Sequence, residues 1–165
     1  MDILYVIGKG STWDNNELKY SLRGIDKYGL NVDRVFVAGY IPDFLNDNVI
    51  KIPVKDITTT KHYNIIHVID VVIKTTDIGI NDNGDFLYSS DDHFYIKETD
   101  FNNYPVYWRG KELPSEIKKD DKHYLYHTTL LSTRTLLKKY NLPAYHFAWH
   151  GNTHFNSRLW KHSIF

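Results

Sequence analysis

The sequence has no cysteine, which excludes disulfide frameworks and thiolate metal sites and leaves oxygen or imidazole as the ligands of any metal. It also lacks an excess of either charge, since 20 Lys and Arg balance 20 Asp and Glu. A general nucleic-acid binder usually carries a basic surplus, because its affinity comes from neutralising phosphates. DNA or RNA is therefore disfavoured as the main ligand, although a nucleic-acid acceptor held by a local patch stays open. No apolar run approaches the roughly 20 residues of a membrane-spanning helix. The opening MDILYVIGKG is too short and too soon interrupted for a secretory signal. The expectation is a soluble, cytoplasmic protein without a membrane span.

What is present suits one folded domain over residues 1–165. Rings make up 15% of the chain and apolar residues 42%, which argues against disorder. A chain of this length buries about two-thirds of its unfolded surface, enough for an independent core.

Ile3 to Ile7 is a continuous apolar run ending in Gly8-Lys9-Gly10, the pattern of a buried parallel strand and a glycine turn. Asp14 and Glu17 suggest a capping box, followed by Leu18, Leu22 and Ile25 at helical spacing up to Gly29. Strands are expected at Val35–Ala38 and Val49–Val54. In the β-branched stretch from His62 to Thr76, polar residues at His67, Asp70, Lys74 and Asp77 share one helical face, which predicts a helix. Asn81 to Gly84 marks a turn. A strand at Phe86–Tyr88 runs into Ser89-Ser90-Asp91-Asp92-His93, with Phe94–Ile96 continuing beyond it. Tyr104–Trp108 and Tyr145–Trp149 read as strands around a helix from Asp120 or Asp121 to Tyr140. Alternating strands and helices predict an α/β fold, a mainly parallel sheet with helices on both faces. Ligands of such sheets collect at the carboxyl ends of the strands. Three polar clusters are expected there: Gly8–Asn16, Ser90–His93 and His150–Asn156.

Asp91 and Asp92 are the sharpest feature. Adjacent carboxylates repel, and a bound cation offsets that cost; hard oxygen ligands suit Mg²⁺ or Mn²⁺, with substrate phosphates completing the shell. A solvated turn is the plainer reading of the pair. His146, His150 and His154 step by four, but Gly151-Asn152 interrupts any helix that would align them for zinc. His150 alone is the candidate to complete a carboxylate site or touch a phosphate. Gly8 and Gly10 would let backbone approach phosphates, while Trp13 could stack on a base and Asn16 closes the loop. Neither the dinucleotide fingerprint nor a Walker loop is present. Arg23 and Lys74 are candidates to reach a diphosphate, against the plainer reading of exposed helix charges.

The opening Asp2–Gly8 with Asn16–Arg23, then Phe86–Phe94, then Ala148–Asn152 with Phe155–Ser157, resemble in order three blocks of Stealth-type sugar-phosphate transferases and related short phage and bacterial glycosyltransferases. The resemblance implies a GT-A-like nucleotide-diphospho-sugar fold. It implies that Asp91 and Asp92 hold a Mg²⁺ or Mn²⁺ bridging the donor diphosphate, that His150 lies in the active site, and that Arg23 and Lys74 lie near the donor. The departures are Gly151 after the histidine, where relatives commonly have proline two positions on, and an end at Phe165 where such transferases usually continue. The acceptor-binding part is thus expected to be minimal, supplied by another subunit as in a homo-oligomer, or missing from this stretch of sequence.

The resulting expectation is a metal-dependent glycosyltransferase moving a sugar from a nucleoside-diphosphate donor to a hydroxyl of a glycan, a protein or a modified DNA base. Transfer of sugar-1-phosphate, a non-catalytic nucleotide-sugar binding module and a metal-dependent phosphoesterase are the alternatives.

Overall fold

The computed structural model describes residues 1–106, 111–116, 124–145 and 152–163. The chain divides into two compact units, Met1–Val106 with Gly151–Phe165, and Tyr107–His150.

In the first unit, β1 (Asp2–Ile7) is the centre of a five-stranded sheet. The helix α1 (Asn16–Tyr28) follows it, then the two-residue β2 (Gly29–Leu30), β3 (Val35–Gly39) and β4 (Ile50–Pro53). Next come α2 (Lys61–Thr75), a single 3-10 turn at Ile80–Asp82, β5 (Asp85–Ser89) and the two-residue β6 (Thr99–Asp100). The order across the sheet is β4-β3-β1-β5 in parallel, closed by an antiparallel β7 (Thr153–Asn156). A short helix, α4 (Ser157–Ser163), ends the unit, while β2 and β6 pair separately. The coarse α/β expectation, a mainly parallel sheet with helices, is met.

Alternation along the strands divides the core. Ile3, Tyr5, Ile7, Val37 and Leu87 pack on one face with Leu18 and Ile25 of α1. Leu4, Phe36, Ala38 and Phe86 pack on the other against Val68, Ile69, Val72 and Ile73 of α2. With both faces covered, β1 must be apolar at nearly every position, which is why it reads as an unbroken run.

The strand β7 stands where the sequence pattern predicts a strand-end loop, and it changes two expectations. It occupies the edge of β5, pairing Tyr88 with Thr153 and Asp85 with Asn156. Phe94–Ile96 therefore has no ladder to join and is not a strand; Tyr95 is buried while Phe94 and Ile96 are exposed. The run Thr153–Asn156 is also not a strand-end loop. Asn156 lies at the amino end of β5, where its amide donates to the Asp85 carboxylate. Tyr104–Val106 forms no strand either, and the rest of that predicted strand lies outside the described residues.

The second unit contains α3 (Tyr124–Lys139), with Leu130 packed near Leu113 and Ala144. Arg134 holds it by donating to the Glu112 carboxylate at 2.8 Å and to the Leu113 carbonyl at 2.6 Å. The predicted start of this helix and the strand through Trp149 lie mostly outside the described residues; Tyr145 makes a lone bridge with Glu112.

Candidate functional site

The strand order reverses beside β1. The chain leaves β1 through α1 to β3 on one side, and returns from β4 through α2 to β5 on the other. Such a reversal opens a crevice at the carboxyl ends of the two central strands. Here those ends are Ile7, leading into Gly8–Asn15, and Ser89, leading into Ser90–His93.

The first loop is organised by Ser11. Its hydroxyl accepts from the backbone N–H groups of Trp13 and Asn15, each at 3.1 Å, and donates to the Glu17 carboxylate at 3.0 Å. The expected capping box at Asp14 is absent: Asp14 and Asn15 are left-handed (φ 52° and 57°) and neither side chain caps the helix. Two consecutive left-handed residues turn the loop before α1 begins, and Ser11 ties that turn by taking the N–H groups of Trp13 and Asn15, which precede the helix. Asn16 is tied to the same loop, its amide donating to the Trp13 carbonyl at 2.8 Å. Gly8 and Gly10 are exposed, and a Cβ at either would meet nothing within 4 Å. Packing inside the protein gives no reason for glycine there. Gly39 is different, because its φ of 95° and the Ile7 carbonyl close by both require it.

The second loop carries the acidic pair. Asp91 is partly buried, and that burial is the main force raising its pKa above the ordinary carboxylate value. The negative charges of Asp92 and Glu17 push in the same direction, while a hydrogen bond from its own backbone N–H and the charge of Lys61 oppose them. Tyr88 is likewise raised, first by burial and then by Asp91 and Asp92. Glu17, in the first turn of α1, thus joins Asp91 and Asp92 of the second loop in one negative region. Asp92 itself is exposed, its Oδ1 lying 3.7 Å from Nδ1 of His93, too far for a hydrogen bond. That ring nitrogen is buried with no hydrogen-bond partner among the described residues.

Beneath this turn lies a buried polar network. The Ser89 hydroxyl donates to the Asn152 side-chain carbonyl at 2.8 Å and bonds the Tyr95 hydroxyl at 3.2 Å. The Asn152 amide donates to the same phenol, and the Tyr5 hydroxyl bonds Ser21 at 2.7 Å. Burial raises the pKa of both phenols, which keeps them neutral partners. A satisfied network of this kind fixes the exit of β5 rigidly.

Two cavities flank the glycine loop. One, of about 600 Å³, lies between that loop and the end of β3 and is lined by Lys9, Ser11, Tyr40, Asp43 and Phe44. The Lys9 ammonium sits 5.6 Å from the centre of the Tyr40 ring. The other, of about 460 Å³, runs along α1 and is lined by Trp13, Tyr20, Arg23, Lys27, Phe94 and Ile96.

Of the predicted site residues, Gly8, Gly10, Trp13, Asn16, Asp91 and Asp92 are brought to the same end of the sheet. Arg23 is seven residues into α1, about 10 Å along its axis from Asn16, and holds its guanidinium over the Tyr20 ring. Lys74 is not part of this region. The end of α2 whose charge Asp91 senses is Lys61, and Lys74 is 13 residues further, about 20 Å along the helix. It pairs with Asp70 at 2.8 Å, so the expectation that it lies near a donor gives way to an exposed helix pair. His150 and His146 lie outside the described residues. His154 is a structural histidine of β7, its Nε2 hydrogen-bonded to the Tyr104 carbonyl at 2.8 Å.

Ser11 and Asn152 fall inside the expected polar clusters but carry no predicted role, Glu17 is visible in the sequence only as a capping residue, and no motif marks Lys61.

Among the described residues no group of three or more Asp, Glu or His side chains could hold a metal ion. Asp91 and Asp92 supply two carboxylates, which is the usual protein share of a Mg²⁺ site completed by phosphate oxygens and water. A cation there would offset the burial that chiefly raises the Asp91 pKa and the repulsion from Asp92 and Glu17 that adds to it, so the donor set fits. No family model and no curated protein matches this chain.

Proposed function

We propose that this chain is a metal-dependent transferase of the GT-A-like type, acting on a nucleoside-diphosphate sugar at the crevice between β1 and β5. The observation that carries this reading is the convergence of an open glycine loop with an adjacent aspartate pair, Asp91 partly buried and Asp92 exposed, at the strand-order reversal. In it, Asp91 and Asp92 would hold Mg²⁺ or Mn²⁺, which would supply charge stabilisation for a departing diphosphate. The loop at Gly8–Gly10 offers backbone N–H groups with no Cβ in the way, an approach suited to phosphate oxygens. The Lys9–Tyr40 cavity accepts the nucleoside: its ring stacks on a base and its ammonium faces the anionic end. In the reaction, the anomeric C–O bond to the diphosphate breaks, a C–O bond to the acceptor oxygen forms, and the acceptor hydroxyl loses its proton. Transfer of sugar-1-phosphate would use the same cradle but break the diphosphate P–O bond, and the released nucleotide, diphosphate or monophosphate, separates the two.

The test is a thermal-shift and calorimetric screen of nucleotide-sugars with and without Mn²⁺, because a ligand that binds only the native state raises the melting temperature. A donor that stabilises the protein only with metal, and no longer does so in Asp92→Ala, is the expected outcome. Equal donor affinity in Asp92→Ala, or a metal-independent shift, would overturn the assignment. Asp92 is exposed, so its replacement leaves the fold intact.

A further inference from the structure

We infer that the groove along α1 is a saccharide subsite for an acidic sugar, which serves as the acceptor of the proposed transfer. The role as acceptor rests on that proposal; the binding itself does not. The groove is built by close packing: a Cβ on Gly24 would lie 2.9 Å from the Tyr95 carbonyl, so only glycine lets Phe94–Ile96 lie down against α1. Its walls are apolar rings left open to solvent, with Trp13, Tyr20 and Phe94 each about half exposed and Ile96 more so.

Trp13 and Tyr20 are stacked, their ring centres 5.5 Å apart and their planes within 11° of one another. Stacking covers one face of each ring and Arg23 lies over Tyr20, which leaves the outer side of the half-exposed Trp13 ring as the flat surface. A pyranose ring presents axial C–H groups on one side, which pack on such a face, while its hydroxyls stay directed to solvent and groove edges.

The charge of the groove selects among sugars. Arg23 and Lys27 are four apart and so share one side of α1. Arg23 lies over Tyr20 at 5.7 Å and Lys27 over Tyr28 at 5.0 Å. Among the described residues neither has a carboxylate partner. Two adjacent cations repel until an anion joins them, and a planar guanidinium held over a ring is placed to grip a carboxylate. A nucleic-acid strand fits less well: following its backbone takes a track of positive charge, and the chain has no net charge to supply one. The groove lies beside both loops of the donor crevice, since Trp13 belongs to the first and Phe94 follows the second.

The experiment titrates the full chain with trigalacturonic acid, maltotriose and a short oligothymidylate, in EDTA and without donor, reading tryptophan fluorescence and heat. Trigalacturonic acid is expected to bind about tenfold more tightly than maltotriose, the worth of a charge-assisted hydrogen bond. Arg23→Gln should remove that preference and leave maltotriose unaffected. Trp13→Ala should weaken both sugars and Trp13→Phe should restore them. Both positions are exposed, and thermal melts report whether the variants fold. Equal affinity for the two sugars, unchanged binding in Arg23→Gln and Trp13→Ala, no binding at millimolar sugar, or tighter binding of the oligothymidylate would each overturn the assignment. Because metal and donor are left out, Asp92→Ala should bind trigalacturonic acid like the parent, so a failure of the donor reading shows separately.

Discussion

The two ends of the central sheet each hold a buried or half-buried aspartate, and their surroundings are opposite. At the amino end, Asp2 is 1% exposed and fully answered: Arg34 donates to both carboxylate oxygens at 2.6 and 3.1 Å, and the Gly79 N–H adds a third bond at 2.8 Å. Arg34 continues to Asp77 at 2.7 Å, and these carboxylates raise its pKa and keep it charged. At the carboxyl end, Asp91 meets further negative charge and one opposing lysine. A carboxylate with all its bonds made holds a fold together, whereas one left among like charges is a place where something else completes the balance. The contrast between these two ends, more than the motif Asp-Asp, singles out the crevice.

The largest effect should come from breaking the answered end. Asp2→Ala leaves Arg34 partly buried beside Asp77 alone and strips the Gly79 N–H of its acceptor. A loss of about 3–5 kcal/mol is expected in denaturant unfolding, with donor and metal binding of the surviving folded protein unchanged. If Asp2→Ala costs less than Asp92→Ala, the contrast is reversed. Next, Ser11→Ala removes the acceptor of two loop N–H groups and the partner of Glu17. It should lower stability by about 1 kcal/mol and weaken donor binding as well, because the loop shapes the crevice. A loss of stability without a change in donor affinity would separate the loop from the site.

The smallest effect sharpens the other end. An acid whose pKa is raised by folding costs stability once it ionises, so stability should fall as pH rises from the ordinary value of 3.8 through the raised one, then level. Asp91→Asn should remove this fall, and Mn²⁺ should offset it in the parent, with metal affinity declining as pH drops through the same window. Melts across pH with and without Mn²⁺ read both. A stability that rises through that window would mean that Asp91 is already satisfied.

Much of the fold was legible because burial on two faces writes itself as uninterrupted apolar runs: β1, β3 and β5 each stand where such a run ends in glycine or polar residues. The helix α2 was legible for a different reason, the three- and four-residue steps of its polar face overruling its β-branched composition. What could not be read was β7. Thr153–Asn156 is short and polar, and only its partner β5, far away in sequence, makes it a strand. The acidic pair was visible as adjacent letters, but Glu17 joins it only through folding. Lys74 shows the converse error: its place on a polar helix face was right, yet a helix has two ends, and local pattern does not say which one meets the site.

The Ser89–Tyr95–Asn152 knot has a kinetic consequence. Its members lie up to 63 residues apart, and Asn152 follows every strand of the parallel sheet in chain order, so during synthesis the knot closes after the helices and parallel strands before it can pair. Until Asn152 docks, Ser89 lacks its carbonyl acceptor and the exit of β5 is untied. The crevice therefore matures only after the scaffold around it has formed, and a nascent chain with a finished parallel core would still have one of its walls loose.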